Sequence, residues 1–557
     1  MTEYFLFGLF IIERLVLGLL FFTLDSDEVV IEIDPTIQYQ TIAGWEATAQ
    51  AGQTECDGFQ NYKDELFDLA VGDLGINRLR LQVKSGAENQ RDYWSDYQAE
   101  IIDHPMWRGV RYSTVNDNDN PLELNWDGFH FSELDEAVEN VVLPIRGRVE
   151  ANGERLFINL TYVAFTKQNL PGLEYHHKDP QEYAEFILAA SLHLKEEYGL
   201  VPDAWEVILE PDNASEWDGE LIGNAIIAAA ERLETNGFEP TFVAPSNADM
   251  GSAIRYFDKM IKVPGAAQYL GEFSYHRYSG ASAENLHAIA ERGALHQIDT
   301  AMLEHIGGDY RELHEDLRDG SNVSWQQFTL GYCGEGDDGG AYFPVDTQDP
   351  ENPRVQIGER TRFLRQYFKF IRRYAVRIEA QSSSKVFDPL AFINPDGSYV
   401  IIVLADSGGA FELRGLPGGK YGLKYTTSSE FDIDQPDMLL IDNQSIRLSI
   451  PEAGVLTVYG KKSGGRILPF APETQVYLPA VGEHQEALEM TDPATTIQRT
   501  PLPTVSEVHH PSRLEAIKIQ NSAGQRLPRR NVVSAGMVAL IICAGLAAAF
   551  LVKSWRK

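Results

Sequence analysis

Hydrophobic positions between residues 40 and 375 follow two alternating patterns. Short β-rich runs occur at QTIAGW (40–45), GINRLRLQV (75–83), RLFINLTYV (155–163), AWEVILE (204–210), PTFVAPS (240–246), LGEFSYH (270–276), TAMLEH (300–305) and VSWQQFTL (323–330). Longer stretches with helical spacing lie between them, such as PQEYAEFILAASLHLKEEYG and GELIGNAIIAAAERLETNGF, the second stopping at Asn236-Gly237. The later strand ends recur about every 30 residues, the size of one strand–helix unit. Eight such units predict a closed (β/α)8 barrel, an α/β fold of the TIM type, over 41–375. A doubly wound open sheet is the competing architecture, but no glycine-rich phosphate loop follows the first strand. The interval between the second and third runs is long and rich in Asp, Asn and Trp, which predicts a large loop over the active face.

After residue 375 the helical spacing gives way to strands and turns. FDPLAFINPDGSYVIIVLAD holds a turn at Asn394-Pro395-Asp396-Gly397, and GLPGGKYGLKYTT, IRLSI and GVLTVYG are short runs bounded by Gly or Pro. Residues 376–460 therefore read as an appended β-sandwich. The barrel has no need of EVVIEID, within 25–40, and this strand could complete the sandwich. Residues 461–531 carry Pro, Thr and Ser with little periodicity and read as a spacer.

Both ends are apolar. Residues 532–552 (VVSAGMVALIICAGLAAAFLV) contain no charge and suffice for a transmembrane helix. Lys553, Arg556 and Lys557 form a basic stub at 553–557, as expected on a cytoplasmic side, although Arg529 and Arg530 flank the other end. A buried soluble helix is the competing reading, and the missing polar stripe speaks against it. Residues 1–24 read as an apolar signal or anchor, interrupted by Glu13 and Arg14. Together the ends predict a membrane-anchored protein whose middle is extracellular or periplasmic.

Composition narrows the partners. A formal net charge of −35 sets up a field that repels phosphate, so nucleic acid is excluded as the expected ligand. Three cysteines, Cys56, Cys333 and Cys543, are too few for a disulfide-dense scaffold or a four-cysteine zinc site. The acidic loop GEGDDGG (334–340) lacks the spacing of an EF-hand and reads as a mobile loop. No metal or other cofactor is expected.

Barrel enzymes keep their chemistry where strands end. Glu210 closes AWEVILE directly before Pro211, and Glu304 closes TAMLE, about three strand–helix units later. Two carboxylates at that face suit cleavage of a glycosidic bond: one donates a proton to the leaving oxygen, and the other attacks the anomeric carbon. Either glutamate alone could be an ordinary salt-bridged acid; the pair at that spacing argues otherwise.

Around these residues the chain resembles glycoside hydrolase clan A, and most of all family 30, the glucosylceramidase-like and β-glycanase group. YQTIAGWEATAQAG, GINRLRLQV with Arg80, VILEPDN, YHRY, AMLEH, FLRQYFKFIRRYAVRI and the sandwich segments carry the resemblance, in order, over about 30–460. It implies a retaining β-glycoside hydrolase acting on a β-linked glycan or glycolipid, with Glu210 as acid/base and Glu304 as nucleophile. The family places Asn directly before the acid/base, where it bonds the sugar 2-hydroxyl. Here that residue is Leu209, which donates nothing. Asn213 or Asn159 could supply the bond, the substrate could be unusual, or the chain could be a catalytically inactive glycan-binding relative. A surface adhesin working through its sandwich is a further, weaker reading.

The remaining candidates support the pair. Arg80 could keep the nucleophile ionised, or form a barrel-core ion pair. His276 and Tyr278, at the end of the sixth strand, could bond Glu304, with a satisfied core histidine as the bland alternative. Trp45 and Trp325 could stack on sugar faces, or could simply be core. Cys56 follows the first strand and Cys333 the eighth, which are neighbours in a closed barrel. The two could form a disulfide suited to an exported protein, or remain free thiols.

Overall fold

The computed structural model describes residues 28–461, apart from Glu335. The apolar N-terminal segment, the spacer beyond Lys461, the expected membrane helix and the basic stub lie outside the described residues. Among the described residues no helix is long and apolar enough to cross a membrane.

Strands β2 (Gly44–Thr48), β3 (Arg78–Lys84), β4 (Phe157–Val163), β5 (Ala204–Glu206), β6 (Phe242–Asp249), β7 (Leu270–Ser279), β8 (Asp299–Glu304) and β9 (Asn322–Cys333) pair in chain order, and β9 returns to pair with β2. Every one of these ladders is parallel. The ring is the (β/α)8 barrel that the strand count predicts. Beyond it, β10 (Ala341–Asp346) and β11 (Arg354–Val355) extend one edge from β9.

Local signals place the helices between these strands. Helix Pro180–Tyr198 starts with Asp179 accepting from Gln181 N and stops at Gly199, whose φ of 60° suits a residue without a side chain. Helix Gly219–Thr235 is capped by Asp218, which accepts from the amides of Glu220 and Leu221. The long interval after β3 carries short helices, including Tyr93–Gln98, His104–Val110 and Ser132–Ala137, rather than one open loop.

Inside the barrel, β3 shows why the interior is polar. Arg78 and Arg80 alternate with Leu79 and Leu81, and the two arginines are fully buried while pairing with Glu46, Glu272 and Glu304 inside the ring. The leucines join the apolar layer beneath the helices. Each buried guanidinium is tolerated because carboxylates pair with it.

The sandwich holds β1 (Val30–Thr41), β12 (Val376–Ser382), β13 (Phe387–Ile393), β14 (Tyr399–Ala405), β15 (Gly409–Arg414), β16 (Gly419–Thr427), β17 (Ile433–Leu440), β18 (Ile446–Ile450) and β19 (Gly454–Lys461). They form one curled sheet in the order β17-β16-β19-β14-β13-β12-β1-β15-β18. The N-terminal strand lies between β12 and β15, antiparallel to the first and parallel to the second. Phe411 and Leu448 from one end of the order share a core with Leu423 and Val458 near the other, so the sheet closes over itself.

Strand β14 belongs to two cores. Ile401, Val403 and Ala405 face the sandwich interior, whereas Val400, Ile402 and Leu404 pack into the barrel's core. This two-sided burial accounts for the unbroken apolar run YVIIVLA. The sandwich is fastened to the barrel through the strands that form its own centre.

Candidate active site

The run AWEVILE is predicted as one strand, but β5 covers only Ala204–Glu206. From there the backbone leaves regular pairing while still hydrogen-bonding to its neighbours. Leu209 N donates to Tyr162 O at 2.9 Å, and Glu210 N donates to Ser246 O at 3.1 Å. Glu210 itself has a φ of 45°, in the left-handed region that side chains disfavour. A turn at Pro211–Asn213 follows at once and aims Asn213 back at it. Such local strain concentrates at functional positions.

Glu210 and Glu304 open onto one cavity of about 270 Å3 at the strand ends. One carboxylate oxygen of Glu210, one of Glu304 and a ring nitrogen of His276 lie within 4.8 Å of one another. Glu210 Oε2 accepts from Asn213 Nδ2 at 2.7 Å, and its Oε1 lies 3.1 Å from His276 Nδ1. Glu304 Oε1 accepts from the Tyr278 hydroxyl at 2.8 Å, and Oε2 is ion-paired with Arg80. Arg80 also donates to Thr48 Oγ1 at 2.9 Å and to the carbonyl of Leu303 at 3.2 Å.

The two carboxylates therefore sit in different electrostatic settings. Burial alone would push the Glu304 carboxyl up, but the charges of Arg80 and His276 and the bonds from Arg80 and Tyr278 outweigh it. Glu304 is held below the ordinary carboxylate value and stays ionised. Arg80 keeps its proton for the reciprocal reason: burial opposes the charge, and Glu304 and Glu206 more than offset it. Burial and the two nearby carboxylates raise the Tyr278 hydroxyl, so it remains a donor. Glu210 faces Asn213 and His276 and has no guanidinium on it. The site holds one committed anion beside a second carboxyl.

The trio of Glu210, His276 and Glu304 has ligand spacing. Glu304 already has Arg80 as countercharge and Tyr278 on its other oxygen, and both Glu210 oxygens are engaged. Arg80 occupies the electrostatic role that a cation would play here.

Of the residues expected from sequence, Glu210, Glu304, Arg80, His276, Tyr278 and Asn213 are brought together. His276 meets Glu210, however, and not Glu304. Trp45 and Trp325 require correction. Both are fully buried on the helix side of the barrel, where Trp45 Nε1 donates to Ile371 O and Trp325 Nε1 donates to Asp316 Oδ2. Trp45 also stacks on Phe368 at 4.4 Å. Neither reaches the cavity, because residues of opposite parity on these strands point inward. Asn159 is likewise engaged, donating to Glu206 Oε2 at 3.1 Å deep in the barrel.

Sequence reasoning missed Thr48, whose signal is its inward parity with Glu46 on β2. It also missed Trp94, Trp107 and Arg111, which line the cavity from the insertion after β3. No periodicity marks that insertion, so no pattern singles them out. Cys56 and Cys333 form a disulfide with a Cα–Cα distance of 5.7 Å, beside the cavity residues Gln53 and Glu55.

Residues 375–414 match the model of the glycosyl hydrolase family 30 β-sandwich domain. No curated protein matches the chain. Among solved structures, the catalytic domain of a family 30 xylanase C from Talaromyces cellulolyticus is similar at a TM-score of 0.55 and 14% identity, covering 78% of this chain and 100% of that one. A family 30 endoxylanase from Clostridium papyrosolvens gives 0.55 at 16% identity, with 78% and 100% covered. A conserved exported protein from Bacteroides fragilis gives 0.57 at 14%, with 77% and 100% covered. The described barrel and sandwich share the fold of these family 30 structures, and residues 375–414 match that family's sandwich domain.

Proposed function

We propose that the chain is a retaining β-glycoside hydrolase that cleaves a β-linked glycan or glycolipid outside the cytoplasm. The observation that carries this reading is the approach of Glu210 and Glu304 carboxylate oxygens to within 4.8 Å across a shared cavity. Retaining enzymes hold their carboxyl groups about 5–5.5 Å apart, whereas inverting enzymes leave about 6.5–9.5 Å for a water molecule.

In this reading Glu304, kept ionised by Arg80, attacks the anomeric carbon as Glu210 protonates the leaving oxygen. Breaking the glycosidic bond forms a glycosyl ester on Glu304. Glu210, now a carboxylate, takes a proton from water, and that water breaks the ester and releases the sugar with its original anomeric configuration. His276 and Asn213 orient Glu210; Tyr278 and Arg80 orient Glu304. The alternative of an inert glycan-binding relative draws on Leu209 alone, and both carboxyl groups keep a full set of partners despite it.

Two features support the location. The Cys56–Cys333 bond suits an oxidising compartment, and the apolar stretch 532–552 is read as a tether to the membrane. Hydrolysis of a panel of aryl β-glycosides and polysaccharides, with NMR of the first-released anomer, tests the chemistry. Release of the β-anomer by wild type and none by Glu304→Gln is expected. Release of the α-anomer would rule out double displacement.

A further inference from the structure

Where the insertion after β3 meets helix Pro180–Tyr198, buried oxygens gather without partners. Glu185 is 1% exposed, and neither of its carboxylate oxygens accepts a hydrogen bond. Glu182, one turn earlier on the same helix face, leaves Oε2 buried and unpartnered. From the insertion, Asn116 Oδ1 and Asp117 Oδ1 are buried and unpartnered as well. None of these residues lines the cavity of Glu210 and Glu304.

The acids act on one another. Burial first, then the charges of Asp117, Glu182 and Glu88, push the Glu185 carboxyl up to about 8. Arg232 opposes them, but its Nη2 is engaged with Pro121 O. Glu88 offers no free oxygen, since Asp117 N donates to its Oε1 at 3.1 Å and His177 Nε2 lies 2.6 Å from its Oε2. Asn116 adjoins Glu182. A buried acceptor without a donor is costly, and like charges beside it add to the cost. One cation would relieve the whole group.

The five free oxygens are all hard donors, with no sulfur or imidazole nitrogen among them. That set suits calcium, which takes about six to eight oxygens in a flexible shell. Asn116, Asp117 and Glu182 are half-buried, which leaves an ion a way in. Among the described residues only the catalytic trio brings three ligating groups within 4.8 Å of one another, so water fills part of the shell here. We propose that Asn116, Asp117, Glu182 and Glu185 form a calcium site that fastens the insertion to helix Pro180–Tyr198. The same insertion supplies Trp94, Trp107 and Arg111 to the cavity wall.

The test titrates CaCl2 into the full-length protein after a chelator has been applied and removed. A saturable single-site heat by calorimetry and a Tm raised by about 2–4 °C are expected. The same response to NaCl at matched ionic strength would mark screening and overturn the site. Absence of any calcium response in the wild type would show that Glu185 keeps a proton instead, and would also overturn it. Glu185→Gln and Asp117→Asn keep side-chain shape, and each is expected to lose the heat and the Tm shift with an unchanged far-UV circular dichroism spectrum. A response retained in both would overturn the assignment. Glu304→Gln is expected to respond as the wild type does; loss of the response there would place the ion at the catalytic trio and overturn the proposal.

Discussion

His276 Nδ1 lies 3.1 Å from Glu210 Oε1, although strand pairing sets His276 in register with Glu304. The imidazole bonds Glu210 and leaves the Glu304 oxygens to Tyr278 and Arg80. Replacing His276 by Ala removes the partner of Glu210 Oε1 and opens space behind it. A fall in kcat of about ten- to a hundredfold is expected, with KM little changed, as steady-state kinetics would show.

Arg80→Met should move the acid limb of the pH–rate profile upward. In wild type Arg80 outweighs the burial that would raise Glu304, and the net direction is down. Without the guanidinium, burial prevails and Glu304 is protonated at higher pH. A carboxyl depressed in the fold contributes stability above its unfolded value and loses it as pH falls through the folded value. Wild type therefore loses this contribution only in acid, whereas Arg80→Met, with a raised carboxyl, reverses the trend. Breaking the buried pair is expected to cost about 3–5 kcal/mol, read by denaturant unfolding at neutral pH.

Glu210→Gln separates the two roles proposed for that residue. Substrates with a poor leaving group should slow by about 10²–10⁴-fold, because no proton reaches the departing oxygen. Dinitrophenyl glycosides need little protonation and should still load Glu304. Intact-protein mass spectrometry would then detect the accumulated glycosyl ester.

Trp45→Ala tests the corrected placement of that residue. Its stacking on Phe368 and its bond to Ile371 O make it a brace between barrel and helix layer. A loss of about 3–5 kcal/mol is expected with KM unchanged in the surviving folded protein. A raised KM at full stability would return Trp45 to the substrate.

Reduction of Cys56–Cys333, which links positions 277 residues apart, should cost about 2–4 kcal/mol. A lowered Tm under dithiothreitol, absent in the Cys56→Ser/Cys333→Ser double variant, would show it.

The barrel was legible because its strands are buried on both faces and recur at a fixed interval. Glu210 and Glu304 were legible because each sits where an apolar run stops. The direction in which a side chain points was harder to read. Trp45 and Trp325 look like sugar platforms by type, yet parity on β2 and β9 turns them toward the helices while Glu46 and Gln326 take the interior. The polar alternation of Arg78 and Arg80 with leucines on β3 carries the same information and identifies the inward face. The bend from Val207 to Glu210 left no trace in composition, since it is set by bonds to Tyr162 and Ser246 on other strands. The cavity wall from the insertion after β3 was illegible for a similar reason: its contacts join residues with no shared period.

Strand β14 gives one side to the sandwich core and the other to the barrel. A truncation between residues 375 and 376 would leave the barrel with a greasy scar where Val400, Ile402 and Leu404 had been. Recombinant production should consequently carry both parts, and shuffling the sandwich onto a foreign barrel would demand redesign of that shared seam.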